Sequence, residues 1–120
     1  MQREIRAYLL DIIEACDAIV SATHDLDLDA YRGNRLIRSS VEREFITIGE
    51  AIGAISRLRP ELFDQISQAR RIVDFRNQLT HGYATVNDTI VWGIAIRDVP
   101  ALRQECERLM AEMESEDEAD

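Results

Sequence analysis

Lysine is absent from the chain, proline and cysteine occur twice each, and glycine five times. Each shortage narrows the field. A sequence 46% hydrophobic with so few turn formers is expected to be all-α, a compact bundle of four to five helices. Cys16 and Cys106 stand alone, in no C-x-x-C or mixed Cys/His ligand spacing, so free buried thiols are expected rather than a disulfide framework or a metal site. No apolar run approaches the roughly 20 residues of a membrane span. The N-terminus shows no apolar stretch followed by a small-residue cleavage site. A cytoplasmic protein is therefore the expectation. At 120 residues one domain can bury a sufficient core without cross-links.

The charge balance is acidic. The net is −9, but the last nine residues hold six of the 23 acids and none of the 14 bases. The remainder carries 17 acids against 14 bases, a net of −3. The domain is accordingly read as residues 1–111, with 112–120 as an acidic, disordered tail that is solvated. Every base is arginine, whose planar fork suits phosphate or carboxylate, although base composition of the genome accounts for an all-arginine count equally well. The charge permits an RNA substrate without pointing to one.

Helical spacing organises what is present. Ile5, Leu9, Ile12, Cys16 and Ile19 predict a helix over 2–23, and Ile37, Val41, Phe45, Ile48, Ile52 and Ile55 a second over 35–58, stopped by Pro60. The segment from His24 to Asn34 reads as a connector. A third helix is expected from Ser67 or Gln68 to Thr80, with Gly82 as a left-handed cap. Asn87 or Asp88 would cap a fourth helix running to about Arg97, and Asp98 and Pro100 would separate it from a last one. Trp92, Phe45, Phe75 and Met110 fall on apolar stripes and read as core.

The stretch Phe75 to Tyr83 carries the chemistry. Arg76 and His81 lie five positions apart, which leaves them about 140° apart around a continuous helix. Ending the helix near His81 would let the ring swing back toward the guanidinium. An imidazole that moves protons beside an arginine that binds phosphoryl oxygens suits metal-independent RNA cleavage by 2′-hydroxyl attack. Asn77 would orient the phosphate or the imidazole, and Tyr83 lies within reach. By itself R-x-x-x-x-H is weak, arising by chance about one time in four at this composition. A surface arginine and a helix-capping histidine explain it as well. Gly49-Glu50-Ala51-Ile52-Gly53 is a G-x-x-x-G that allows a close helix crossing, within or between subunits. Glu50 there either pairs with an arginine or is a plain surface carboxylate. The calcium-loop pattern fails at Asp25 to Leu36, where Ala30 and Leu36 replace the glycine and closing glutamate.

The run R-N-Q-L-T-H-G-Y-A-T-V-N-D-T-I-V-W (Arg76 to Trp92) resembles the motif of the HepT-like toxin ribonucleases of the HEPN superfamily. V-E-R-E-F-I-T-I-G-E-A (Val41 to Ala51) is similar to the same family's I-G-E-A helix. The resemblance covers residues 3 to 110. It implies a HEPN-type bundle acting as a homodimer, with both R-x-x-x-x-H motifs facing a shared cleft. It also implies an RNase needing neither metal nor cofactor, with Arg76 and His81 catalytic and Asn77 supporting. The implied partner is a MntA-like minimal nucleotidyltransferase antitoxin able to adenylylate Tyr83. A non-catalytic helical module that regulates such a nucleotidyltransferase is the alternative.

Overall fold

The computed structural model describes residues 2–82 and 86–119, with side chains for 5–82 and 86–118. Among them every element is helical, as the composition suggested. The order is α1 (Gln2–Thr23), α2 (Leu28–Arg32), α3 (Arg35–Leu58), α4 (Pro60–Phe63), α5 (Ala69–His81) and α6 (Asp88–Ala119). Four are long, and α2 and α4 are single turns. No described helix is long and apolar enough to cross a membrane.

Helix α1 is the spine. It packs on α3 and on α6, while α5 packs on α3. The two-sided burial follows from the width of its apolar stripe. Ile5, Leu9, Ile12, Cys16 and Ile19 are all at most 1% exposed, each worth about 1.5–3 kcal/mol for a large aliphatic side chain. Burial also pushes both thiols, Cys16 and Cys106, up to about 12, so they sit in the core as protonated apolar groups.

Side-chain caps open α2, α3 and α6, but not α4 or α5. Asn34 Oδ1 accepts from Ile37 N at 3.1 Å to open α3. Of the two candidates for α6, Asn87 is the cap: its Oδ1 accepts from Thr89 N at 2.9 Å and Ile90 N at 3.3 Å. Asp88 is instead the first helical residue and lies 3.8 Å from the Arg38 guanidinium.

Three expectations are corrected. The connector contains α2, opened by Asp27, whose Oδ1 accepts from Ala30 N at 2.8 Å. Five residues show too little periodicity to be noticed, yet α2 buries Tyr31 completely and stacks its ring 5.3 Å from Trp92. Pro100 does not divide the C-terminal segment. Val91, Ile94, Ala95, Val99, Leu102, Cys106, Leu109 and Met113 are all buried and stay in helical phase across it, so one 32-residue helix serves the whole stripe. Pro100 is exposed, where water can serve the carbonyl that its missing N–H leaves free. Finally, Gly82 is not left-handed (φ −134°, ψ 38°), although its N–H does close α5 onto the Gln78 carbonyl. Within 112–120, α6 continues to Ala119, Met113 is buried, and Asp117 pairs with Arg6.

Candidate functional site

Helix α5 holds the residues of interest because of how it is anchored. Ala69, Ile72, Phe75 and Leu79 form its buried face, and the Phe75 ring meets Phe45 of α3 edge-on, with centroids 5.2 Å apart. At the same crossing Arg76 lies directly on Gly49. A Cβ built on Gly49 would stand 2.2 Å from Arg76 Cβ and 2.5 Å from its Cγ, so α3 and α5 approach to a separation that only glycine permits. The first glycine of the G-x-x-x-G thus serves a crossing within the subunit. The second does not: a Cβ on Gly53 would have only the Arg57 guanidinium near it, at 3.6 Å.

The stem of Arg76 is thereby pressed across α3, and its head is met by two acceptors. Nη1 donates to Asn77 Oδ1 at 3.0 Å and Nη2 to Glu50 Oε1 at 3.1 Å. Of the two readings left open for Glu50, the pairing is the one found. The Arg76 side chain is 27% exposed and that of Glu50 60%, so the pair is worth at most about 1 kcal/mol to stability. One face of α5 and the neighbouring turns of α1 and α3 enclose a hollow of about 500 Å³ that includes Arg76, Asn77, Glu50, Arg57 and Tyr8. Tyr8 and Arg57 had no signal in the sequence beyond their own helices, because only the packing of α1 and α5 on α3 brings them to this place.

His81 stands elsewhere. Helix α5 ends at His81 as expected, with Gly82 as its C-cap, yet the imidazole is exposed at the edge of a second hollow, about 1010 Å³, between α5 and the start of α6. Asn77 lines both hollows, Arg76 the first and His81 the second. The structure therefore brings Arg76 and Asn77 together and sets His81 on the neighbouring side of the same helix. Arg71, which also lines the second hollow, reaches Asp98 of α6 at 3.3 Å. That contact is ionic only, because Asp98 Oδ2 has no hydrogen-bond partner among the described residues. Thr80 Oγ1 donates back to the Arg76 and Asn77 carbonyls, both at 3.2 Å. Tyr83 lies outside the described residues.

Three later residues of the motif serve the fold. Val86 packs on the core, Asn87 caps α6, and Trp92 covers Tyr31. His24 is far along the chain and exposed, its Nε2 3.2 Å from Asp25.

Comparison with known proteins identifies the family of the chain. The family described as Ribonuclease HepT-like matches residues 12–109. A Methanocaldococcus jannaschii protein provisionally named an RNase is 32% identical over 106 residues, covering 88% of this chain and 96% of the relative. A second from the same organism, named likewise, is 30% identical over 117 residues, 98% of this chain and 96% of the relative. A Thermococcus cleftensis protein provisionally named ribonuclease HepT is 29% identical over 113 residues, 91% and 98% of the two chains. No solved structure matches.

Proposed function

The chain belongs to the HepT-like ribonuclease family, and on that premise we propose that it is a metal-independent endoribonuclease, the toxin half of a toxin–antitoxin pair. The observation that carries this reading is the arginine seated on Gly49: its guanidinium is held by Asn77 and Glu50, one helical segment from an exposed imidazole.

In the reaction, the ribose 2′-oxygen attacks the adjacent phosphorus and the bond to the 5′-oxygen breaks, leaving a 2′,3′-cyclic phosphate. A proton leaves the 2′-hydroxyl and one must reach the departing 5′-oxygen. The His81 imidazole moves these protons. Negative charge grows on the non-bridging oxygens, where the Arg76 fork donates, and Asn77 keeps that fork oriented. Because Arg76 and His81 line different hollows, the reading includes a homodimer in which two copies of α5 border one cleft. Two guanidiniums and two imidazoles then surround one phosphate, so one imidazole can accept a proton while the other gives one.

The partner in this reading is a minimal nucleotidyltransferase of MntA type, which adenylylates Tyr83. An added phosphate two residues from His81 would fill the cleft and repel the RNA backbone. The test is cleavage of a defined RNA in excess chelator by the wild type, Arg76→Ala and His81→Ala. The expected result is a cyclic-phosphate product from the wild type and a loss of at least about 10²-fold in each variant. Wild-type cleavage by both variants would remove these residues from the chemistry. A stable complex with a nucleotidyltransferase and no nuclease activity in any preparation would make the chain a regulatory module instead.

A further inference from the structure

We infer that Glu50 is a positioning residue: it sets the orientation in which Arg76 offers its guanidinium to the RNA phosphate. This rests on the reading of Arg76 above, and it goes beyond that reading by giving the I-G-E-A segment of α3 a part in the reaction.

The argument begins with what leaves the arginine undetermined. Contact with Gly49 fixes where the stem lies, but not how the planar head turns at its end. Nε is buried and has no hydrogen-bond partner among the described residues, so nothing at that nitrogen orients the plane. The two η nitrogens are the ones engaged, one by Asn77 at 3.0 Å and one by Glu50 at 3.1 Å. These acceptors differ in kind. Asn77 is the next residue on the same helix and moves with the arginine, whereas Glu50 is 26 positions away on α3 and ties the head to the rest of the bundle. Each η nitrogen carries two N–H groups, so each keeps one free for phosphate oxygens while the plane stays anchored.

A carboxylate beside a phosphate-binding arginine could also work against the site by competing for it. The exposure of the Glu50 side chain, 60%, argues otherwise. Water and salt screen its charge from an incoming phosphate, while the direction of its hydrogen bond remains. Gly49 and Glu50 then act as a pair: the first admits the stem, and the second turns the head. Donors held in place before charge develops stabilise the transition state more than the bound substrate, so the effect belongs in kcat.

The experiment compares the full-length wild type with Glu50→Ala, Glu50→Gln, Arg76→Ala and the Glu50→Ala/Arg76→Ala double variant on one RNA oligonucleotide in excess chelator. Glu50→Ala is expected to lower kcat about 10- to 100-fold, the scale of a small misplacement at a reacting centre, with KM within about threefold. Glu50→Gln keeps an acceptor oxygen at the same reach and is expected to recover kcat to within about fivefold of wild type. The double variant should be no slower than Arg76→Ala alone, because both changes remove one interaction. Wild-type kcat in Glu50→Ala beside an inactive Arg76→Ala would overturn the inference and leave the reading of Arg76 standing. Tighter RNA binding and faster cleavage in Glu50→Ala would show a competitor, and Glu50→Gln as slow as Glu50→Ala would show a charge effect; either overturns it. So would a fall in melting temperature beyond about 5 °C in Glu50→Ala, which would make the role one of scaffold. Undiminished cleavage by Arg76→Ala would overturn both ideas together.

Discussion

The two sides of α5 are built on opposite principles. Toward α3 the helices touch so closely that a methyl group on Gly49 would overlap the Arg76 stem, and Phe75 locks edge-on against Phe45. Toward α6 the same helix stands off across a hollow of about 1010 Å³, with His81 at its edge. In the proposed reaction the closed side holds the guanidinium that would be aimed. The open side leaves exposed the imidazole that would meet substrate and exchange protons. Rigidity and access are thus divided between two faces of 13 residues.

That contrast can be broken from its strong end first. Phe75→Ala removes the ring that joins α5 to α3 and is expected to destabilise the protein by about 3–5 kcal/mol, read from denaturant midpoints at constant slope. A cost under about 1 kcal/mol would mean that the crossing is not tightly packed. Gly49→Ala comes next. The methyl meets stem atoms rather than a flexible tip, so α5 must shift, at about 1–3 kcal/mol, and cleavage should fall with it. On the open side, His81→Ala should leave stability within about 0.5 kcal/mol of wild type while cleavage is lost. A large stability change there would show that the imidazole is part of the packing after all.

The smallest effect lies at the other end of α3. Burial, with Asp88 nearby, raises the Glu42 carboxyl above its ordinary range against the opposing pull of Arg38. A group whose folded pKa is raised contributes its stability below the unfolded value, near 4.5, and loses it as pH rises through the folded value. Glu42→Gln should therefore raise stability slightly at pH 7, by less than about 1 kcal/mol, and the gain should vanish below about pH 4. A gain that persisted in acid would trace to something other than ionisation.

Much of this could be read before any coordinates. The boundaries of α1 and α3, the proline stop at Pro60 and a cap at Asn87 or Asp88 all follow from local rules, because periodicity and capping need only a few neighbouring residues. The arginine and histidine of α5 were singled out by their spacing together with the family resemblance. Where local rules failed, packing had outvoted them. Pro100 ought to end a helix, but the buried stripe from Val91 to Met113 outweighs one missing hydrogen bond at an exposed position. Tyr31 sat in what looked like a connector, since a single turn leaves no periodic trace, and only Trp92 reveals why it is buried.

The sequence by itself determined the class of fold, the limits of α1 and α3 and the chemical groups available, since these depend on side-chain pattern along one strand of chain. It left open which way those groups face. That Gly49 receives Arg76, that Glu50 rather than solvent meets its guanidinium, and that His81 looks into a different hollow were decided by the crossing of α3 and α5. A contact between residues 26 positions apart depends on how two helices are rotated and spaced, and the core that sets those values is shared by the whole bundle.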